Sequence, residues 1–134
     1  MTIRQHPAVG APIWIDLMTS DRDASVAFYT ELFGWTSDEP NPDFGSYSNF
    51  RLHGEEVAGL MTAEPGAPSD MWSVYLATPD AAATVEAARN AGASVTVDAM
   101  AVGDLGTMAV VVDPGGAVIG MWQPGEARDG SRQP

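Results

Sequence analysis

Apolar and mixed positions alternate along residues 12–19, with Ile13, Ile15 and Leu17 on one face and Trp14, Asp16 and Met18 on the other. This period of two predicts a strand with two different faces. The period changes at Ser20 and Asp21, either of which can cap a helix in which Ser25, Phe28, Tyr29 and Leu32 follow at i, i+3, i+4 and i+7. Gly34 supplies the left-handed stop. The helix is expected to lay its Phe28 stripe on the Ile15 face. Trp35 begins a short second strand, NPDFG is a loop, and residues 47–53 and 56–63 read as two strands joined by a tight turn at His53-Gly54-Glu55. The result is one β-α-β-β-β unit.

The pattern then starts again. IWIDLMTSD at 13–21 returns as WSVYLATPD at 72–80, and VAGLM at 57–61 returns as VIGMW at 118–122. A repeat of this length is one folding module duplicated. In the second copy, 71–78 reads as a strand, 80–90 as an alanine-rich helix closed by Gly92, and strands follow from 95–97, over 107–112 and over 117–122. Asp113-Pro114-Gly115-Gly116 invites comparison with a phosphate loop, but strand-to-strand turn chemistry explains it better. The expected organisation is a single domain: module one over 12–63, a Pro/Gly-rich linker over 64–70, module two over 71–124 and a flexible tail over 125–134. Neither module alone could cover its own apolar sheet face, so the pair is expected to enclose a cup.

Composition narrows the chemistry. Six basic against eighteen acidic residues give a net charge of −12, which repels phosphate backbones and anionic membranes. Neither nucleic acid nor membrane is an expected partner. The absence of cysteine removes disulfides, thiolate nucleophiles and zinc–thiolate sites. MTIRQHPAVGAP has no apolar run of the signal-peptide kind, and no stretch reaches spanning length, so the chain is expected to be cytoplasmic. His6 falls in the leader and His53 in the HGEE turn, where consecutive side chains point apart; the latter reads as a solvated acidic turn. Asp38, Glu39, Asp43, Asp98 and Asp104 read as solubilising surface charge.

With the repeat, the opening TSDRDASVAFYTELFGW and the closing VVVDPGGAVIGMWQPG in view, the chain resembles the vicinal oxygen chelate superfamily. That group includes glyoxalase I, extradiol dioxygenases, fosfomycin-resistance enzymes and bleomycin-binding proteins, and WIDLMTSD followed by FYTELFGW is most similar to its glyoxalase and bleomycin-resistance branch. The resemblance implies an α+β fold of two tandem βαβββ modules, a curled mixed sheet forming a cup with helices outside, commonly as a homodimer. It also implies metal ligands on the first and last strand of each module, positions that fall here on Trp14, Ser73, Gly59 and Gly120. None is a good donor to a divalent metal, so neither a metal nor any other cofactor is expected.

Alternation sends Trp14, Asp16, Met18, Gly59, Met61, Ser73, Tyr75, Gly120 and Trp122 into the cup, with Trp35 near its rim and the two glycines leaving room at the centre. Such walls suit a flat aromatic or polyketide-like ligand, an antibiotic among them, unless they are filled as core or form a subunit interface. Asp16 in an apolar strand needs a reason: a structural bond to Tyr75, Asn49 or Arg51, a hold on a ligand amine or hydroxyl, or catalysis. Two functions are expected to compete. One is metal-independent sequestration of an aromatic or bulky metabolite; the other is a metal-free isomerase, cyclase, hydrolase or lyase with Asp16 as acid or base and Tyr75 as its partner.

Overall fold

The computed structural model describes residues 8–44 and 46–125. His6 and the tail beyond Gly125 lie outside them. Contacts divide the chain into two compact units, Trp14–Ser73 and the remaining segments. The 64–70 segment lies wholly in the first of these.

In the first unit the predicted elements appear close to their expected bounds: β1 (Pro12–Thr19), α1 (Arg22–Phe33), β2 (Thr36–Ser37), β3 (Ser48–Leu52) and β4 (Glu55–Thr62). The strand order is β2-β3-β4-β1, with β4 antiparallel to β3 and parallel to β1. His53 and Gly54 both have positive φ, the geometry of a tight two-residue hairpin turn. A bulge after Phe50 breaks the alternation of β4, and Val57, Ala58, Gly59 and Leu60 are buried in succession. The core consists of Leu17, Phe50, Val57, Ala58 and Leu60, with Ile15, Val26, Tyr29, Trp35 and Leu52 packed on it.

Two expectations are corrected here. Phe28 does not pack on the Ile15 face: it is 57 % exposed, and α1 reaches the core through Val26 and Tyr29. Adjacent helical residues are about 100° apart, so seating Tyr29 turns Phe28 outward. Trp35 does not belong with Trp14. Its ring centroid lies 5.0 Å from Phe50 and 5.4 Å from Tyr29, on the helix side of the sheet.

The second unit repeats the plan with the rest of β5 (Met71–Ala77), α2 (Ala81–Asn90), β6 (Ser94–Val102), β7 (Gly106–Val112) and β8 (Val118–Pro124), in the order β5-β8-β7-β6. Here β5 and β8 are parallel and the other pairs antiparallel. Ala81 and Val85 of α2 are buried, as are Ala109 and Val111 of β7. The DPGG segment is the expected turn, in which Asp113 accepts from the backbone of Gly115 and Ala117 at 2.9 Å each.

The duplication extends to the helix caps. Asp21 accepts from the Ala24 amide at 3.1 Å and Asp80 from the Ala83 amide at 3.0 Å. In each copy a threonine two residues earlier accepts the cap's amide and bonds a hydroxyl inside the helix, Thr19 with Ser25 at 2.8 Å and Thr78 with Thr84 at 2.6 Å. Both threonines are buried, and these bonds satisfy them. Among the described residues no helix is long and apolar enough to cross a membrane.

At the end of the 64–70 segment Asp70 has φ 65, a left-handed conformation that side chains other than glycine rarely take. Its carboxylate accepts from the Ser20 amide at 2.9 Å and from the Ser20 and Ser69 hydroxyls. The Ser20 amide, then the two hydroxyls, hold its pKa below the ordinary aspartate range. A depressed folded pKa gives a stabilising link that is complete above the unfolded value and lost as pH falls through the folded one. Carboxyl-carbon NMR should therefore find Asp70 titrating below an unfolded-chain aspartate, with the Ser20 amide shift following it. An ordinary midpoint would show that these bonds do not hold in solution.

Candidate ligand-binding faces

On the sheet face of the first unit opposite α1, β1 presents Trp14, Asp16 and Met18, as the alternation requires. Asp16 lies beside Gly59 and Met18 beside Met61 in the β1–β4 register. All except Gly59 are half-buried; Gly59 is buried. The residue beside the β4 glycine is therefore Asp16, two positions beyond Trp14.

Space over Gly59 is occupied, which corrects the expected opening at this glycine. A β-carbon there would collide with the phenol of Tyr47, just before β3, and come within 2.9 Å of the Asp16 Cβ. Glycine in a strand interior marks such close approaches. The Tyr47 hydroxyl accepts from Trp14 Nε1 at 2.9 Å and lies 3.5 Å from Asp16 Oδ2, to which it can donate. An indole, a phenol and a carboxylate thus stand in sequence on one face. Composition and periodicity pointed to the first and last; Tyr47 was missed, although a large residue facing Gly59 was the available signal.

Asn49 and Arg51, two expected partners of Asp16, bond Glu56 instead, at 3.2 and 3.3 Å. Arg51 also reaches Asp38 at 2.9 Å, and this bond, more than the nearby charges, raises its pKa. Glu56 and Asp38 are therefore members of a polar network beside the aromatic face, which corrects their reading as solvated charge. The side chains of Arg51, Asp38 and Glu56 are 32 %, 37 % and 25 % exposed, so the ion pairs contribute modestly.

In the second unit, Tyr75 lies beside Gly120, and its ring fills the space a β-carbon there would need. Trp122 lies across Gly106 in the same way. Here too the glycine admits an aromatic ring rather than leaving a void. Ser73, half-buried on β5, ends the first unit.

The superfamily's metal positions can be tested against these donors. Trp14 offers only an N–H donor, directed to Tyr47, while Gly59 and Gly120 have no side chain and lie under tyrosine rings. Among the described residues no three His, Cys, Asp or Glu side chains are placed to hold a metal ion. The donor set does not fit a divalent cation.

Comparison with known proteins agrees with the fold. Residues 13–120 match the family described as a glyoxalase-like domain. CFP32 of Mycobacterium tuberculosis, provisionally named a glyoxylase, is 43 % identical over 128 residues, covering 92 % of this chain and 49 % of that protein. The anthracycline biosynthesis protein DnrV of Streptomyces peucetius is 38 % identical over 133 residues, covering 88 % of this chain and 48 % of its own length. The chain thus spans about half the length of these curated relatives. The crystal structure of methylmalonyl-CoA epimerase from M. tuberculosis superposes with a TM-score of 0.61 at 18 % identity, covering 88 % of this chain and 90 % of the other, which shows a shared fold. The duplicated β-α-β-β-β plan, with a glycine of each last strand beside the first strand, is thereby placed: the chain belongs to the glyoxalase-like domain family of the vicinal oxygen chelate superfamily.

Proposed function

We propose that this chain is a metal-independent small-molecule binding protein, a cytoplasmic homodimer that sequesters a flat aromatic or polyketide-like metabolite on the face of the first unit carrying Trp14, Asp16, Met18, Met61 and Ser73. The observation that carries this reading is the Trp14–Tyr47–Asp16 sequence beside paired methionines. Aromatic rings offer broad stacking surface, methionine adapts to irregular outlines, and one carboxylate gives a ligand hydroxyl or amine a fixed point. The name of the anthracycline relative supports a fused-ring polyketide as the ligand class. The net charge of −12 favours neutral or cationic members of that class.

A second reading, a metal-free isomerase, cyclase, hydrolase or lyase, is favoured by the hydroxyl of Tyr47 at 3.5 Å from Asp16. Asp16 would take or give the proton. Tyr47 would stabilise charge developing on an oxygen.

Asp16→Asn separates the two. An anthracyclinone titrated into the protein should shift the Trp14 indole N–H signal saturably, and the substitution should change the dissociation constant by no more than about tenfold, the value of one hydrogen bond. Loss of turnover with binding retained would establish the enzyme instead. An unmoved Trp14 signal would remove the binding reading.

A further inference from the structure

On the opposite side of the same sheet, the first unit contains a concavity. An open cleft of about 340 Å³ has Leu17 among its lining residues, together with Phe28, Tyr29 and Trp72, and Ser25 and Asp70. Leu17 alternates with Asp16 and Met18, so this cleft and the Trp14 face are separated by the sheet. We propose that the cleft is a separate ligand site for a small organic ammonium, with the cationic nitrogen at Asp70 and the apolar body against Trp72 and Phe28.

The recognising groups are held in place before any ligand arrives. Trp72 donates its indole N–H to the Tyr29 hydroxyl at 2.9 Å, which fixes the plane of a ring still 36 % exposed. Tyr29 is fixed in turn by ring contacts to Trp35 and Phe50 at 5.4 and 5.7 Å. Phe28, turned out of the core, forms the outer wall. Asp70 is held by the serine donors described above and by its own amide, which donates to the Met18 carbonyl at 2.6 Å. These bonds keep a charged side chain in a left-handed conformation that glycine would occupy without strain, and strain of this kind gathers at functional sites.

Charge and size select the ligand class. The described arginines of this unit are engaged elsewhere, Arg22 with Asp38 and Ser48 and Arg51 with Asp38, Gly54 and Glu56. Among the described residues no ion pair involves Asp70. A carboxylate lining the same cleft as aromatic rings attracts an ammonium by charge, the rings add cation–π contact, and an anion is repelled. The volume lies at the low end of ligand pockets, about 300–1,000 Å³, and suits a body of one or two rings.

Phenethylammonium tests this, with 2-phenylethanol as its uncharged counterpart, each titrated into the ¹⁵N-labelled protein. The ammonium should shift the Trp72 indole and Asp70 amide signals saturably while leaving Trp14 in place. The alcohol should bind about tenfold more weakly or worse, as should the ammonium to Asp70→Asn and Asp70→Gly. The glycine variant suits the positive φ and so separates loss of charge from loss of the turn. Equal binding of alcohol and ammonium, binding retained in both variants, shifts centred on Trp14, or no saturable shift at all would each overturn the proposal. Failure at Trp14 with success at Trp72 would instead remove only the aromatic-face reading above.

Discussion

Phe50→Ala should lower the unfolding free energy by about 3–5 kcal/mol, the cost of truncating a fully buried phenylalanine. Phe50 is 0 % exposed and lies at the centre of the first unit's core, between the β4 residues and the aromatic cluster on α1. Its ring meets Trp35 at 5.0 Å and Tyr29 at 5.7 Å, so truncation leaves a cavity and removes the surface that orients both rings. A strand paired on both sides cannot collapse into that space as a loop would, because its ladder to β2 and β4 fixes the backbone. Urea denaturation should show the midpoint falling with little change in slope, and the Trp72 indole signal should broaden as Tyr29 loosens. A loss below about 1 kcal/mol would mean that the core repacks freely, and the rigid walls inferred for the ammonium cleft would lose their support.

Gly59→Ala should cost about 1–3 kcal/mol, although alanine is ordinarily harmless in a strand. The reason is local. The added methyl would occupy the position of the Tyr47 phenol and press on the Asp16 Cβ, and the backbone beneath is buried and paired on both edges. Tyr47 must leave, and Trp14 Nε1 then loses its partner. Tyr47→Ala, which removes the closest of these clashes but leaves the one with the Asp16 Cβ, should make the second substitution markedly cheaper, so the two changes should be non-additive in a double-mutant cycle. Additive effects, or a Trp14 indole signal unmoved by Gly59→Ala, would show that Tyr47 does not cover Gly59. The same variant should weaken an aromatic ligand at the Trp14 face while leaving the Trp72 cleft unaffected.

Elements governed by neighbours in sequence were readable without coordinates. The TSD and TPD caps, the HG hairpin turn and the DPGG turn each close with a side chain or backbone angle that the residue type itself supplies. The start of β6 at 95–97 is legible from its valines, but its length is not: the stretch after Val97 is rich in alanine and methionine, whose strand tendency is weak, and pairing with β7 carries it on to Val102. Phe28 and Tyr29 could not be told apart by period alone. Both belong to one aromatic stripe, and which of them turns inward depends on the helix's rotation against Phe50 and Leu17.

The sequence by itself determined the duplicated plan and the alternating faces of β1, because these rest on periodicity and on local turn and cap chemistry, while the family came from the resemblance of its opening and closing motifs. Only the tertiary structure decided what fills the space over Gly59 and Gly120, which side of the sheet receives Trp35, and where Asp38 and Glu56 direct their charge. The physical reason is that a glycine or a carboxylate specifies room or charge but not its occupant, and the occupant arrives from a strand distant in sequence through a register that no local pattern encodes.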